Sequence, residues 1–251
     1  MQKEEFQLKK LVPEEKTRRI FAQVFDRQTI SILAQMANKG IFDTVEFVIS
    51  TGKEAHVFRA VDSAKKYRAV KIYKIETSDF NTMSKYIEGD VRFKGVKKNK
   101  RDLVFAWTRK EFKNLELLNS VKVTAPLPIA FKNNVLVMEF IGTKGEAAKT
   151  VRENPVTAEK FRDFAVDALS KMFFDADLIH SDFSEYNILN RQEELVLIDC
   201  AQAVVKTHPH AKEFWQRDLK NISNYLRKKG LEISSEELEN EIKKRKKQEL
   251  A

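Results

Sequence analysis

Cysteine, glycine, proline and long apolar runs are all scarce in this sequence. One cysteine, Cys200, among 251 residues excludes a disulfide within the chain and predicts a reducing compartment. Seven glycines and five prolines argue against fibrous or long disordered segments. No uncharged apolar run reaches the roughly 18 residues that span a bilayer, and the first residues contain no apolar signal core. These absences predict a soluble, cytoplasmic protein with no membrane partner.

The overall composition is that of a basic globular protein. Hydrophobic residues make up 42% of the chain, enough to bury a sizeable core, and charged residues make up 33%. The net charge of +9 has two interpretations. It favours a polyanionic partner such as RNA, because basic surface attracts phosphate, or it is solvated surface without a partner.

Hydrophobic periodicity predicts a β-rich part followed by a helical part. Residues 14–38 have the period of one amphipathic helix, which Gly40 ends. Strand-like stretches occur at 44–50, 56–62, 68–75, 128–132 and 135–141. A helix at about 103–119 separates the third stretch from the fourth.

From residue 142 onward the pattern is mostly helical. Helices are predicted at 157–175, at 211–228 and from Ser234, where Ser234 and Glu237 form a capping box, with a short hairpin at 187–190 and 195–199. The order predicts an α+β fold of two lobes. The predicted boundaries are an N-terminal helical extension at 1–40, a sheet lobe at 41–141 with a flexible basic insertion at about 76–102, and a helical lobe at 142–251.

The segment 180–189, His-Ser-Asp-Phe-Ser-Glu-Tyr-Asn-Ile-Leu, carries the strongest chemical pattern. It fits H-x-D-x-x-x-x-N followed by two apolar residues, which is typical of protein kinases. Asp182 would accept or orient the proton of an attacking hydroxyl, and Asn187 would give its amide oxygen to Mg²⁺ or Mn²⁺. Leu189 would lie in a buried strand beneath the adenine of ATP.

A second carboxylate follows twelve residues after Asn187. Leu197 and Ile198 predict a buried strand that ends at Asp199, which would bind the metal that bridges the β- and γ-phosphates. Either aspartate alone would fit a helix cap or a turn. Together with the asparagine, at these spacings, they predict an ATP- and metal-dependent phosphotransferase with a protein-kinase-like fold.

The segment 49–57 joins the first two strands and resembles a glycine-poor phosphate loop. In the kinase template G-x-G-x-x-G-x-V, Gly52 takes the middle glycine position, while serine and alanine replace the outer two. The predicted nucleotide-binding residues here are Ile49, Ser50, Lys53 and Val57. A Walker A loop is excluded because Phe47 and Glu54 stand at two of its required positions. Alone, the segment is also compatible with an ordinary hairpin turn.

Ala69 and Lys71 lie two residues apart in the third strand, so both face the same side of the sheet. The kinase pattern needs a small residue beside adenine and a lysine that reaches the α- and β-phosphates. A carboxylate of the following helix would hold the lysine. Glu111 is the preferred candidate, because Phe112 and Leu115 predict burial beside it, and Glu116 is the alternative.

Two departures separate the chain from ordinary protein kinases. Asp199 is followed by Cys-Ala rather than Phe-Gly, and only 52 residues follow it, with no Ala-Pro-Glu triplet. The helical lobe is therefore expected to lack the activation segment and the peptide-binding subdomains.

With these departures the sequence resembles the RIO atypical serine/threonine kinases, of the first type and in the compact archaeal form. The resemblance rests on segments 50–55, 86–93, 137–142 and 180–189, on Ile198, Asp199 and Gln202, and on His208 and Pro209 followed by Phe214. It implies that ATP binds the backbone of Glu139 and Ile141, with Met138 as gatekeeper. It also implies autophosphorylation, a role in maturation of the small ribosomal subunit, and in some members an ATPase activity that transiently phosphorylates the metal-binding aspartate, here Asp199.

Two other functions fit the catalytic pattern. One is a small-molecule kinase of the aminoglycoside or choline type, and the other is a nucleotide-dependent switch in ribosome assembly that acts mainly as an ATPase. The sequence names no protein substrate, and a monomer is expected.

Two basic segments, 92–101 and 243–247, are candidates for contact with ribosomal RNA, or are solvated surface. Candidate autophosphorylation sites are Ser78, Thr82 and Ser84. The His208–His210 pair is interpreted as structural rather than as a metal site.

Overall fold

A computed structural model describes residues 9–76, 79–97 and 99–249, with the side chains of Ala22, Gln23 and Glu249 excepted. These residues form two compact units. The first lies within Met1–Ser84, Gly95–Phe112 and Leu127–Phe140, and the second within Lys85–Lys94, Lys113–Pro126 and Ile141–Ala251. Neither unit is a single stretch of sequence.

Two helices, not one, cover most of residues 14–38 in the first unit. Helix α1 covers Glu15–Val24 and helix α2 covers Arg27–Asn38. The prediction of a single helix over 14–38 is wrong at Phe25 and Asp26. Phe25 has an extended backbone (φ −115°), and the Asp26 side chain accepts the Thr29 N–H at 2.8 Å as the N-cap of α2. The apolar period continues across the break, so periodicity alone does not detect it.

A five-stranded antiparallel sheet forms the body of the first unit, in the order β1-β2-β3-β5-β4. The strands are β1 (Thr44–Thr51), β2 (Ala55–Val61), β3 (Tyr67–Tyr73), β4 (Pro128–Lys132) and β5 (Val135–Glu139). All five predicted strands are confirmed to within two residues. One face of the sheet packs with α1 and α2 in the apolar core through Phe58, Ala60, Val70, Ile72, Val135 and Val137. The opposite face carries Val57, Ala69, Lys71 and Met138.

The range predicted as a basic insertion contains helical structure. Helix α3 covers Phe80–Ile87, and a 3₁₀ turn covers Val91–Phe93. Its apolar side chains Met83, Tyr86, Ile87 and Phe93 are buried, which explains why this part of the range folds. Ser78 and Lys98 lie outside the described residues. Helix α4 follows at Lys100–Ser120.

Three long helices and short strands make up the rest of the second unit. The helices are α5 (Ala158–Phe174), α6 (Ala211–Lys228) and α7 (Ser235–Glu249). The short strands are β6 (Gly142–Thr143), β7 (Glu146–Ala147), β8 (Lys149–Thr150), β9 (Leu178–Ile179), β10 (Ile188–Arg191), β11 (Glu194–Leu197) and β12 (Val204–Val205).

Two predicted features of this unit are confirmed. The hairpin is the antiparallel pair β10–β11. The capping box forms at the start of α7, where Ser234 N–H donates to Glu237 Oε2 at 2.8 Å and Glu237 N–H donates to Ser234 Oγ at 3.1 Å. Throughout the part of the chain that the structure describes, no helix is both long and apolar enough to cross a membrane.

Candidate active site

Lys71 of β3 forms a buried ion pair with Glu111 of α4. Lys71 Nζ lies 2.7 Å from Glu111 Oε1, and the two side chains are 9% and 1% exposed. The hydroxyl group of Tyr73 donates to the other carboxylate oxygen of Glu111. Glu116, the alternative partner, instead contacts Lys113 at 2.7 Å on the exposed side of the helix. The structure therefore forms the preferred pair.

The sheet places four of the other predicted nucleotide residues, Ser50, Val57, Ala69 and Met138, on the same face as Lys71. Val57 lies opposite Lys71, and Ala69 lies opposite Met138. Ser50 lies opposite Val57, and Ile49 falls where the β1–β2 register shifts. Because directly paired residues of antiparallel strands share a face, the side chains of Ser50, Val57, Ala69 and Met138 line one surface with Lys71.

The predicted phosphate loop is a closed turn. Gly52 N–H donates to the Ala55 carbonyl at 2.8 Å, and Lys74 Nζ donates to the Gly52 carbonyl at the same distance. A Cβ atom at position 52 would lie 3.2 Å from that Ala55 oxygen, so a larger residue would strain the turn. Ser50 and Lys53 are exposed at its surface.

The two predicted adenine-binding backbone positions fall in different units. Glu139 belongs to the first unit, where its N–H donates to the Leu127 carbonyl at 2.8 Å. Ile141 belongs to the second, where its carbonyl accepts the Ala148 N–H at 3.0 Å.

Side chains of α6 hold the loop that carries Asp182 by binding its backbone groups. Asp218 of α6 accepts the N–H groups of Ser181 and Phe183 at 2.8 and 2.9 Å, and Arg217 donates to the Ser181 carbonyl. Ser181 has a positive φ of 71°, a conformation that L-residues rarely adopt without outside support. The anchors on both sides of Asp182 provide that support.

Sequence reasoning missed Arg217 and Asp218. A signal was present, because Asp218 lies three residues after Trp215 on the apolar stripe of α6 and is fully buried. A carboxylate on a buried helix face needs donors, and here those donors are backbone groups of the catalytic loop.

Asn187 contacts Asp182 through its side chain and the residue before Asp199 through its backbone. Its amide nitrogen donates to the Asp182 carbonyl at 2.9 Å and to Asp182 Oδ2 at 3.0 Å. Its backbone carbonyl accepts the Ile198 N–H at 2.9 Å, which extends the β10–β11 pairing to the residue before Asp199. Leu189 and Ile198 are partly buried in this hairpin region. With the amide nitrogen directed at Asp182, the amide oxygen of Asn187 remains as an acceptor for a cation.

Asp199 stands exposed at a sharp change of backbone direction. It has left-handed φ and ψ of 58° and 59° and precedes the 3₁₀ turn Cys200–Gln202. Asn114 of α4, fully buried, donates through its amide nitrogen to the carbonyls of Cys200 and Ala203 at 2.7 and 2.9 Å. Sequence reasoning also missed Asn114.

Burial and neighbouring charge shape the protonation of this loop. Burial, supported by the charge of Asp199, raises the pKa of Asp182, while the Asn187 hydrogen bond and Arg217 lower it. Complete burial raises the pKa of Asp218 to about 7, against the lowering effect of its two backbone hydrogen bonds and of Arg217. Both carboxyl groups therefore hold a proton more tightly than an exposed aspartate.

The oxygen donors of Asn187 and Asp199 fit a hard divalent cation. Among the described residues, no cluster of three or more His, Cys, Asp or Glu side chains is arranged to hold a metal. Mg²⁺ accepts one or two protein ligands together with phosphate oxygens and water, so this donor pair suits a metal that arrives with a nucleotide. His208 packs against Phe214, with ring centroids 5.6 Å apart.

Comparison with known proteins agrees with the geometry. The RIO domain profile matches residues 56–239. The chain is 41% identical over 220 residues to the RIO-type serine/threonine-protein kinase Rio1 of Haloferax volcanii, covering 86% of this chain and 74% of the relative. It is 37% identical over 248 residues to Rio1 of Methanocaldococcus jannaschii, covering 94% and 84%.

The fold has a counterpart in a solved kinase structure. The crystal structure of the Rio2 kinase–ADP/Mg²⁺–phosphoaspartate complex from Chaetomium thermophilum matches with a TM-score of 0.63 and 18% identity, covering 86% of this chain and 65% of that one. This likeness confirms the α+β kinase-like fold. Because the RIO profile spans most of the chain and the sequence relatives are named serine/threonine kinases, the chain belongs to the RIO family of atypical serine/threonine protein kinases.

Proposed function

We propose that this kinase transfers the γ-phosphoryl group of ATP to serine or threonine hydroxyls, its own among them, through Lys71, Asp182, Asn187 and Asp199. The observation that carries the proposal is the hydrogen bond from the Asn187 amide to Asp182. It orients the Asp182 carboxylate, whose pKa is raised, in the loop that also carries the Asn187 oxygen, and Asp199 supplies the second oxygen suited to a metal. The preformed Lys71–Glu111 pair supplies a held ammonium group for the α- and β-phosphates.

Each residue has a distinct task in this reaction. Asp182 orients the acceptor hydroxyl and takes its proton as the new O–P bond forms and ADP leaves. Lys71 offsets phosphate charge. Glu111 holds the Lys71 ammonium group in place through their ion pair. Asn187 and Asp199 would hold Mg²⁺ or Mn²⁺, which neutralises phosphate charge when bound. Ile49, Val57, Ala69, Met138, Leu189 and Ile198 would enclose the adenine.

A second activity, ATP hydrolysis through a phosphorylated aspartate, is supported by one observation. The Asp199 carboxylate is exposed in a left-handed backbone conformation, so it is accessible as a nucleophile. The Chaetomium Rio2 kinase that shares this fold was crystallised as a phosphoaspartate complex. In this activity an Asp199 oxygen attacks the γ-phosphorus and ADP leaves. Water then attacks the acyl phosphate, releasing inorganic phosphate and regenerating the carboxylate.

Labelled ATP separates the two activities. Wild-type protein with γ-labelled ATP and Mg²⁺ is expected to acquire acid-stable label on serine or threonine and to release inorganic phosphate. Label on Asp199 would be lost on hydroxylamine treatment. The Asp182→Ala variant should remove the acid-stable label. The exposed Glu116→Gln variant is the control, and if wild type and Asp182→Ala incorporate label equally, Asp182 is not the base.

The proposed cellular role is maturation of the small ribosomal subunit in the cytoplasm, with ribosomal RNA as a contact. Several cations of the two basic segments form ion pairs with acidic side chains of this chain. Arg92 pairs with Asp90 and Arg101 with Asp26, at 2.6 and 3.0 Å. In α7, Lys243, Arg245 and Lys246 pair with Glu239, Asp167 and Asp175. Lys94, Lys97, Lys244 and Lys247 are exposed, and we assign RNA contact to them.

A salt titration tests the RNA contact. Co-sedimentation with small ribosomal subunits should weaken steeply as salt rises, and the Lys94→Glu/Lys97→Glu variant should weaken it further. Lys16→Glu/Lys39→Glu changes the same net charge at other exposed lysines and serves as the control. Equal loss with both variants would mean that net charge, rather than this segment, drives the association.

A further inference from the structure

The segment Lys85–Lys94 packs closely within the second unit. Tyr86, 4% exposed, stacks on Phe214 of α6 with ring centroids 4.9 Å apart. A Cβ atom at Gly89 would lie 2.5 Å from Pro209 Cδ and closer still to the His208 ring, so only glycine permits this approach. The phosphotransfer mechanism described above uses none of these contacts.

One chain of contacts leads from this segment to the loop of Asp182. Arg217 Nη2 donates to the Tyr86 hydroxyl at 2.8 Å and also to the Ser181 carbonyl. One guanidinium nitrogen thus bridges the segment and the residue before Asp182. Ordinary kinases have an arginine inside the loop, in H-R-D, where this chain has Ser181. Here the cation comes from helix α6.

A second chain of contacts leads to the turn after Asp199. Arg92 Nη1 donates to Asn114 Oδ1 at 2.9 Å, and the amide nitrogen of Asn114 donates to the Cys200 carbonyl at 2.7 Å. Arg92 is itself held by Asp90, with Nε–Oδ1 and Nη2–Oδ2 distances of 2.9 and 2.6 Å. The Asp90 side chain is fully buried, and such a carboxylate needs a paired cation, so this contact is firmly held.

Both chains end on backbone groups next to a catalytic aspartate. Ser181 directly precedes Asp182, and Cys200 directly follows Asp199. Each of these loops also contains a left-handed residue, Ser181 or Asp199, whose conformation depends on support from its surroundings.

We propose that Lys85–Lys94 is a brace for phosphotransfer, in which Tyr86 positions Asp182 through Arg217, and Arg92 positions Asp199 through Asn114. Tyr86, Arg92, Asn114 and Arg217 are positioning residues, since they act through the backbone of the loops. The inference rests on the proposed function for its effect on turnover, and on the contacts alone for its effect on loop stability.

Two conservative variants test the two chains of contacts separately. Tyr86→Phe keeps the stack on Phe214 and removes only the hydroxyl acceptor. Arg92→Lys keeps a cation for Asp90 and removes the guanidinium arm that reaches Asn114. Each is expected to lower kcat roughly threefold to tenfold, as loss of one hydrogen bond does, with KM for ATP within about twofold of wild type.

Amide hydrogen exchange locates the effect. Tyr86→Phe should speed exchange in peptides covering 179–187 and leave 197–205 unchanged, and Arg92→Lys should show the reverse. Arg217→Met should lower kcat at least as much as Tyr86→Phe. Adding Tyr86→Phe to it should change nothing further, because both act through the same nitrogen.

Lys85→Met is the matched control. It removes the exposed 3.1 Å pair with Glu213 and the cation–π contact with the Phe214 ring, 5.1 Å from Nζ to the centroid, which join this segment to α6 without reaching either loop. It should leave kcat and both exchange patterns unchanged.

The outcomes are distinct. Wild-type kcat and exchange in both conservative variants, or equal effects from Lys85→Met, would overturn the brace. If wild-type turnover does not exceed that of Asp182→Ala, the proposed function fails, and the two exchange patterns decide the brace by themselves.

Discussion

The two units hold the residues proposed for catalysis in different ways. In the first, Lys71 and Glu111 bind each other directly, side chain to side chain, in a nearly inaccessible ion pair. In the second, Asp182 and Asp199 are placed through the backbone, by Asp218 and Asn114, which contact neighbouring peptide groups. The first arrangement couples activity to the stability of the core. Removing either side chain leaves the charge of the other buried without a partner, which destabilises the fold. The second leaves the aspartates available to substrate and metal.

The largest expected effects come from removing the carboxylates proposed for catalysis in the second unit. Asp182→Ala and Asp199→Asn should each lower kcat by about 10³-fold, since each removes a group acting on the transferred phosphoryl or its acceptor. The free energy of unfolding should not fall for Asp182→Ala, because burial already disfavours that charge. Steady-state kinetics and urea unfolding measure the two quantities. A parallel loss of stability would mean that Asp182 is mainly structural.

Breaking the first arrangement should cost both activity and stability. Lys71→Met is expected to lower kcat/KM by roughly 10²-fold and the free energy of unfolding by about 3 kcal/mol, because Glu111 stays buried without its cation. Lys113→Met, on the same helix, breaks an exposed pair and should change the unfolding free energy by less than about 1 kcal/mol. Comparable stability losses in the two variants would contradict the distinction between buried and exposed pairs.

Replacing Asp218, which holds the Asp182 loop, should have a smaller effect on kcat than replacing Asp182 itself. In Asp218→Asn one oxygen acceptor becomes an amide nitrogen, so one of the two backbone N–H groups loses its partner. Unfolding free energy should fall by about 1–3 kcal/mol, and kcat by roughly tenfold. Nucleotide affinity, measured by ADP titration, should stay near that of wild type.

The pKa of Asp218 also gives a pH dependence of stability. Its folded pKa of about 7 lies above the ordinary value of 3.8, so the folded protein binds this proton more tightly than the unfolded chain. The resulting stabilisation is complete below about pH 4, and it disappears as pH rises to about 7, a change of up to about 4 kcal/mol. Urea unfolding across this range should lose that slope in Asp218→Asn. An identical slope in both proteins would mean that another group titrates.

One expected effect is confined to stability and concerns packing within the segment Lys85–Lys94. Gly89→Ala places a methyl group against Pro209 and the His208 ring, and should lower the unfolding free energy by about 1–3 kcal/mol. Gly230→Ala is not a neutral control, because Gly230 has a φ of +86° that penalises any side chain. Ser63→Ala, at an exposed turn of the first unit, is suitable. Thermal unfolding of the three proteins measures the difference.

Much of the candidate site was predictable because its residues stand at short, regular spacings. Asp182 and Asn187 occupy one loop, Asp199 ends a recognisable apolar strand, and Lys71 follows Ala69 in another strand. Glu111 was predicted from the burial of its flank on α4. Arg217, Asp218 and Asn114 were not, because they act on peptide groups far away in sequence, and peptide groups carry no residue-specific pattern.

The helix break shows the same limit at the level of the fold. Apolar residues recur at helical spacing from Ile20 through Met36, and this spacing predicts one helix. Asp26 ends it only because its side chain caps a new helix at Thr29. Strand positions were predicted well, since alternation along each β-strand follows directly from burial of one sheet face.

The sequence by itself determined the chemical identity of this protein, because the catalytic side chains, their order and their spacing are local properties of the chain. It also determined the α+β class of the fold, since strand and helix periods differ. Only the tertiary structure decided that Glu111 rather than Glu116 pairs with Lys71, and that Asp218, Arg217 and Asn114 support the aspartate loops. Those contacts join residues tens of positions apart, and burial of charge and backbone polar groups forces them together once the chain is folded.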